Sequence, residues 1–504
     1  MITLILTICG GALFIYLLNL HFFWWRRGVK GPRGDIFFGN AIQLYNPEKP
    51  RLLQYKDWNQ GSRHILVTSD PAFLNEVFVK QFDNFFQRLD IPINRDHDKD
   101  PKAHLFSSRG ARWKRLRAIS MPSFSVTSLK KVLPTVEDST RVMIAELERS
   151  HADTGESFNI HQYFMELTLD VIYRLTMGVK ESTFMHNPRL PTVIALFERG
   201  YTDPLNLLNL VFPCLQKPTL MLFKALSSLF TIPILQLFNE MEEVMKKRRE
   251  ERNRNGRNEE VRDFIEVFLD MMETGEEGEG QTNGEFVNAE TTVTKRMTHD
   301  EAVAQALVLL LAGFDTTANS LGYLCWVLTQ HPEVQTKCKE EIDLICRDED
   351  IPYEDISRLH YMEAVCKEAQ RFYPLGPFGN ARVCNNTTTV CDMNIEKGTI
   401  VQADVLSLHF NRRIWGEDVN EFRPERWLDK ERPIPSTAFL AFGAGPRICI
   451  GMRLALLEEK LAIAHLLRKF DILPDQSVTE LSLHGSLTPA PKTVPVKVQR
   501  RRFD

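Results

Sequence analysis

One cysteine stands apart in this chain. Cys449 lies in AFGAGPRICIGMRLA, residues 441–455, with Phe442, Gly445, Arg447 and Gly451 at fixed offsets around it. The chemistry at issue is that of a thiolate, whose charge must be stabilised. A glycine-containing loop lets backbone N–H groups turn toward sulfur, and the Pro446–Arg447 pair stiffens the approach. The other cysteines, at 9, 214, 325, 338, 346, 366, 384 and 391, bring the total to an odd nine with no C-x-x-C pair, which fits neither a disulfide framework nor a zinc site. They fit a reducing compartment. The ordinary alternative for Cys449 is a buried free thiol. Against it, five specified positions at about one in twenty each would be met by accident in 504 residues with a probability on the order of 10⁻⁴.

Further constellations carry charge or hydroxyls. Glu368 and Arg371 in CKEAQRFYP stand one helical turn apart just before Pro374, and Arg426 lies in FRPERW upstream of the cysteine loop. Together they can form a charge-assisted cluster, and the plain alternative is a surface i,i+3 pair worth only about 0.2–0.5 kcal/mol. ALVLLLAGFDTTANS, residues 306–320, sets Asp315 beside Thr316 after a capping box, Thr298 to Glu301. Alone, this segment reads as a threonine bonded back to a carbonyl and a solvated aspartate. Gly313 in mid-helix costs about 1 kcal/mol relative to Ala, so a flat ligand lying close or a local bulge is expected there. Trp113 and Arg117 in GARWKRLRAIS share a helix face one turn apart, and Arg382 stands in NARVC. The basic residues of that stretch could equally be a solvated face.

The cysteine loop resembles the haem-binding loop of the cytochromes P-450, and the resemblance extends over essentially the whole chain. WKRLRAIS, AGFDTT, FRPERW and CIGMRLAL look most like the animal microsomal branch that oxidises drugs and steroids. It implies a mainly helical fold with small sheets behind a single N-terminal transmembrane helix, haem b as cofactor and Cys449 as the iron ligand. A thiolate ligand favours O–O cleavage, where a proximal histidine would suit oxygen carriage. Trp113, Arg117, Arg382 and Arg447 then resemble the residues that hold the haem propionates, with Phe442 and Gly451 completing the loop. Glu368, Arg371 and Arg426 take a structural role behind the haem. Asp315 and Thr316 match the acid–alcohol pair that relays protons to dioxygen. The implied activity is a monooxygenase drawing electrons from NADPH only indirectly, through NADPH–cytochrome P-450 reductase, with cytochrome b5 as a further donor. Arg112, Lys114, Arg115, Lys130 and Lys131 could form the basic surface for such a partner. Phe314, Pro374, Leu375, Phe378, Leu487 and Thr488 are expected to line a pocket for an apolar small molecule, such as a xenobiotic, steroid or fatty acid.

These residues need elements to position them. Helical periodicity is read near 112–120, 128–150, 157–178, 236–254, 300–329, 332–346 and 359–372, and strand-like runs at 64–70, 387–390, 399–403 and 494–498. Residues 273–292, rich in Glu and Gly, read as a surface loop. The apolar stretch 212–238 reads as core, with a patch touching lipid as the alternative. Residues 2–24 carry no formal charge, span about 34 Å as a helix against a bilayer core of roughly 30 Å, and precede Arg26, Arg27, Lys30 and Arg33. They read as a signal-anchor that leaves residues 30–504 as a single cytosolic domain, and the resemblance places it on the endoplasmic reticulum membrane. The net charge of −4 gives no attraction to nucleic acid. Two departures from the family stand out: the Pro-rich hinge after the anchor is reduced to KGPRG at 30–34, and 57–71 offers one strand-like run where a hairpin is expected. A haem-thiolate isomerase or dehydratase, and a non-catalytic haem sensor or scaffold, stay open beside the monooxygenase, which Asp315 and Thr316 favour.

Overall fold

Apolar residues recurring every three to four positions call for long helices with one buried stripe, and the chain forms them. The structure is a computed structural model. It describes residues 64–89, 99–199, 233–256, 263–273, 296–431, 433–485 and 488–502, with isolated positions between 7 and 27 and between 215 and 222. The principal helices are α1 (Gly110–Ser120), α2 (Val126–His151), α3 (Ile160–Met177), α4 (Leu190–Arg199), α5 (Pro233–Asn255), α6 (Phe264–Glu273), α7 (His299–Gln330), α8 (Pro332–Ile345), α9 (His360–Phe372) and α10 (Met452–Lys469). The expected helices match α1, α2, α3, α5, α7, α8 and α9 to within a few residues. α10 was not among them.

The strands are short. β1 (Ile65–Thr68), β6 (Ile400–Ala403) and β3 (Ala381–Val383) make one sheet, with β1 parallel to β6 from Ile65 opposite Ile400 to Thr68 opposite Ala403. β2 (Phe158–Asn159), β10 (Pro495–Arg500) and β7 (Phe470–Pro474) make a second. β4 (Thr388–Val390) pairs with β5 (Met393–Ile395), and β8 (Leu483–His484) with β9 (Ala490–Pro491). Mainly helical with small sheets is therefore the observed class. A partner strand ahead of β1 would fall outside the described residues, as do most of the 2–24 run, most of 212–232 and positions 274–292.

α7 is the central element. Its capping box forms: the Thr298 hydroxyl accepts the Glu301 N–H at 3.2 Å, and the Glu301 carboxylate accepts the Thr298 N–H at 3.1 Å. Among the described residues it is the one helix apolar and long enough to cross a membrane, but it is mostly buried against its neighbours and serves as core. Gly313 shows how close those neighbours come, since a Cβ there would lie 2.8 Å from Ile172 Cδ1 of α3. α7 runs unbroken through this point. The glycine is thus required by a second helix, and no bulge interrupts α7 at this point.

Glu301 also corrects the expected basic face of α1. Arg112 Nε reaches it at 2.8 Å and Arg115 Nη2 at 2.7 Å, and Arg112 further donates to the Asp100 and Pro101 carbonyls at 2.6 and 3.0 Å. Both guanidiniums are turned inward because the capping carboxylate is itself buried. Lys130 pairs with Glu354 at the surface.

Candidate functional site

The cysteine loop is built by backbone geometry. Cys449 N–H donates to Phe442 O at 2.9 Å, closing a loop that contains the 3₁₀ turn Gly445–Arg447. Gly445 sits at φ +67, where a Cβ would collide with the Phe78 carbonyl, so only glycine lets the loop pack on that backbone. Cys449 is exposed by residue, yet protein atoms surround its thiol closely enough to desolvate it. Burial pushes its thiol pKa up, while the N–H groups of Gly451 and Met452 and the guanidiniums of Arg88 and Arg117 pull it back. Those two N–H groups open α10, so the helix terminus faces the sulfur with its positive end. Phe442 is half-buried, and Gly451 lies against Phe124.

Around this sulfur the chain gathers guanidiniums. Arg447 donates to Phe86 O at 3.1 Å, Leu105 O at 3.4 Å and Ser108 O at 2.7 Å, and its plane lies 4.5 Å from the Trp113 ring. Arg382 donates to Gly379 O and Ala381 O at 2.9 and 2.8 Å and lies over Phe78. Arg117 donates to Ile448 O at 3.0 Å, next to Cys449, and Arg88 to Arg447 O, also at 3.0 Å. The acceptors in these bonds are carbonyl oxygens, with no carboxylate among them. Burial, then mutual repulsion, lowers the pKa of Arg447 and Arg382 well below the ordinary arginine value, and burial brings Arg88 down to about 10. The Nε atoms of Arg88 and Arg382 are buried without a hydrogen-bond partner. Buried cations are stable only when paired. The donor set therefore fits a group that brings its own carboxylates next to a thiolate-bound metal, as haem does through its propionates.

Behind the loop, Glu368 is fully buried and saturated. It accepts from Arg371 Nε at 3.0 Å and Nη2 at 2.9 Å, Arg426 Nε at 3.0 Å, the Arg423 N–H at 3.1 Å and Trp427 Nε1 at 2.9 Å. This is the predicted trio, and the surface-pair alternative fails on burial. His409, also fully buried, ties it to the cysteine loop. One ring nitrogen, Nδ1, pairs with Arg371 O at 3.1 Å, and the other, Nε2, accepts the Leu440 N–H at 3.0 Å. Burial pushes its pKa down to about 3, so it is neutral, with the proton on Nδ1. Asn380 Nδ2 donates to Leu440 O at 3.1 Å from the other side.

α7 carries Asp315 and Thr316. Thr316 Oγ1 donates to Ala312 O at 2.8 Å, the back-bonded state its segment suggested. Asp315 is not the solvated acid: its Oδ2 accepts the Thr488 hydroxyl, and burial raises its pKa to about 6 against the pull of Thr488 and Asn319. Of the expected pocket residues, Phe314 is buried with its ring 6.1 Å from Phe197, Pro374 and Thr488 are buried, and Leu375 is half-buried. Leu487 and the Phe378 side chain lie outside the described residues. Sequence reading missed Arg88, His409, Trp427 and Asn319; Trp427 closes the FRPERW run and Asn319 lies within ALVLLLAGFDTTANS, so both stood inside quoted motifs, while Arg88, in the Phe-rich FDNFFQR, had a charge in an apolar run to betray it and His409 had no such signal.

Residues 30–498 match the family model described as Cytochrome P450. The chain belongs to the cytochrome P450 family. It is similar to Caenorhabditis elegans proteins whose names class them as cytochromes P450: CYP13A3 and CYP13A4, each 41% identical, and CYP13A5, 40% identical, all three alignments covering 98% of this chain and 98% of the relative. Cytochromes P450 are haem-thiolate monooxygenases, so haem iron is the cofactor and this chain is an oxidoreductase of that class.

Proposed function

We propose that this cytochrome P450 inserts one oxygen atom into an apolar small molecule of the xenobiotic, steroid or fatty-acid kind, with electrons from NADPH through NADPH–cytochrome P-450 reductase and with cytochrome b5 as a second donor. The overall step balances as RH + O2 + NADPH + H⁺ giving ROH + H2O + NADP⁺. The observation that carries the reading is the cluster of Arg88, Arg117, Arg382 and Arg447 beside Cys449, whose described bonds leave them short of an anion.

In this reading Cys449 Sγ binds the iron as a thiolate, and the N–H groups of Gly451 and Met452 stabilise its charge. Arg88, Arg117, Arg382 and Arg447, with Trp113, hold the propionates, and Phe442 and Gly451 shape the loop against the ring. Bound haem supplies the reductive splitting of dioxygen. Asp315 and Thr316 deliver the protons that this requires in an otherwise apolar cleft, Asp315 holding one at its carboxyl and Thr316 passing it through its hydroxyl. Glu368, Arg371 and Arg426 fix the loop from behind through His409. Phe314, Pro374, Leu375 and Thr488 line the apolar side. With Arg112 and Arg115 committed to Glu301, the reductase-docking face rests on Lys114, Lys131 and their surroundings. Residues 2–24 anchor the single domain 30–504 to the endoplasmic reticulum membrane from the cytosolic side.

The deciding experiment incubates the purified holoprotein with reductase, NADPH, labelled dioxygen and panels of steroids, fatty acids and xenobiotics. One labelled oxygen in a product, dependent on NADPH, is the expected result. Conversion of a hydroperoxide or endoperoxide with no NADPH or reductase would instead establish the isomerase.

A further inference from the structure

Asn380 ends the 3₁₀ turn Pro377–Asn380 and directly precedes β3, the strand that carries Arg382. It is 2% exposed, and its amide reaches across to the cysteine loop. Nδ2 donates to Leu440 O at 3.1 Å and to Gly376 O at 3.2 Å, while Oδ1 lies against Gly443, where a Cβ would come within 3.2 Å of it. Turning the amide over would lose both bonds, so the network fixes which end is which. Among the described residues Oδ1 has no hydrogen-bond partner. A leucine would fill nearly the same space with no oxygen left unmet, so burying an amide here costs stability. What the amide gains is its hold on Leu440.

Leu440 is gripped from two directions. Its N–H donates to His409 Nε2, and its carbonyl accepts from Asn380 and from the Gly443 N–H at 3.1 Å. Two residues further on, the Phe442 carbonyl accepts the Cys449 N–H. The turn behind Asn380 is held as firmly: Gln402 Nε2, from β6, donates to Pro377 O at 2.9 Å and to Asn380 O at 3.3 Å, and Arg382 folds back onto Gly379 O and Ala381 O. Asn380 is therefore a strut between two rigid pieces, one leading to the thiolate and the other to a propionate arginine.

We propose that Asn380 is a positioning residue that sets the spacing between Cys449 and Arg382, and with it the seat of the haem ring on its sulfur ligand. The inference rests on those two residues holding the iron and a propionate. A ring fastened at its centre through iron and at its edge through a carboxylate has two anchors. Any change in their separation must be taken up by the iron–sulfur bond or by the propionate contact. His409 acts on the first anchor, since its ring bonds go to Arg371 and Leu440. Asn380 acts on both.

Resonance Raman spectra of the resting high-spin ferric holoprotein read the two anchors without turnover, one in the iron–sulfur stretching band and the other in the propionate bending band. Asn380→Leu keeps the volume and removes the donor, and it should shift both bands by several wavenumbers. Asn380→Ala removes the donor with no bulk in its place and should do the same, which carries the test if leucine blocks haem uptake. His409→Asn is short enough to keep the bond to Arg371 O while giving up the Leu440 N–H, and it should move the iron–sulfur band alone. Either band at its parent position in the Asn380 variants overturns the proposal. So does a His409→Asn spectrum with both bands displaced alike, because general loosening of the loop would then explain everything. If neither Asn380 variant retains haem, the residue is a folding requirement and not a strut, and the proposal falls. A parent without an iron–sulfur band overturns the ligand assignment and this inference together, whereas a parent band that the variants leave in place overturns the inference alone.

Discussion

The cysteine loop with its support and the middle of α7 are built on different principles. On the cysteine side several polar groups are held more than once: Glu368 accepts from four residues, Arg447 grips three carbonyls, and His409 bridges Arg371 to Leu440. On the α7 side Asp315 accepts the Thr488 hydroxyl, and Thr316 is bonded back to its own helix. The first arrangement suits a ligand that must not move. The second leaves its acid and hydroxyl with few fixed partners, as groups that exchange protons would need.

Breaking the rigid side should have the largest effects. Cys449→His removes the thiolate, and the red-shifted Soret band of the reduced carbon-monoxide complex should vanish completely; an unchanged band would end the assignment of Cys449. Glu368→Ala leaves Arg371 and Arg426 as uncompensated buried charges, which costs about 3–5 kcal/mol. Haem incorporation and thermal stability should fall together, and a stable holoprotein would show that the trio is dispensable.

The α7 side should respond more mildly and more selectively. Gly313→Ala pushes a methyl into Ile172 and should cost about 1–3 kcal/mol by overpacking, measurable as a lowered denaturant midpoint; pairing it with Ile172→Val should recover part of the loss. Thr316→Ala should keep the thiolate spectrum and the rate of NADPH consumption while diverting a several-fold larger share of it to hydrogen peroxide, and full coupling in that variant would remove the hydroxyl from the relay. The smallest effect is a pH dependence. The Asp315 carboxyl has its pKa raised from 3.8 to about 6 on folding, so between these values the folded chain binds more protons than the unfolded one. Stability therefore falls as pH rises through this window. Asp315→Asn should gain on the parent from about pH 4 to about pH 6 and hold a constant advantage above it, as followed by thermal unfolding across pH.

The same contrast governs what could be read from sequence. Motifs on the cysteine side are dense because many groups converge on one loop, so Phe442, Gly445, Arg447, Cys449, Glu368, Arg371 and Arg426 all stood out. Helical periodicity located α1, α3 and α7 because their apolar faces are long. α10 escaped because Glu458, Glu459 and Lys460 interrupt its apolar pattern, yet all three are buried; burial raises the pKa of Glu458 to about 8 and of Glu459 to about 7, which eases the cost of their place in the core. The inward turn of Arg112 and Arg115 depends on where Glu301 lands, nearly two hundred residues away, and the reason for Gly313 depends on Ile172 of another helix. Such pairings have no local signature.

Glu301 joins the two sides. Its carboxylate closes the first turn of α7 and at the same time clamps α1 through Arg112 and Arg115, and α1 bears Trp113 and Arg117 on the cysteine side. The two helices consequently share a single fastening. Loss of the one carboxylate would therefore undo two attachments at once, the opening turn of α7 and the seat of the helix that carries Trp113 and Arg117.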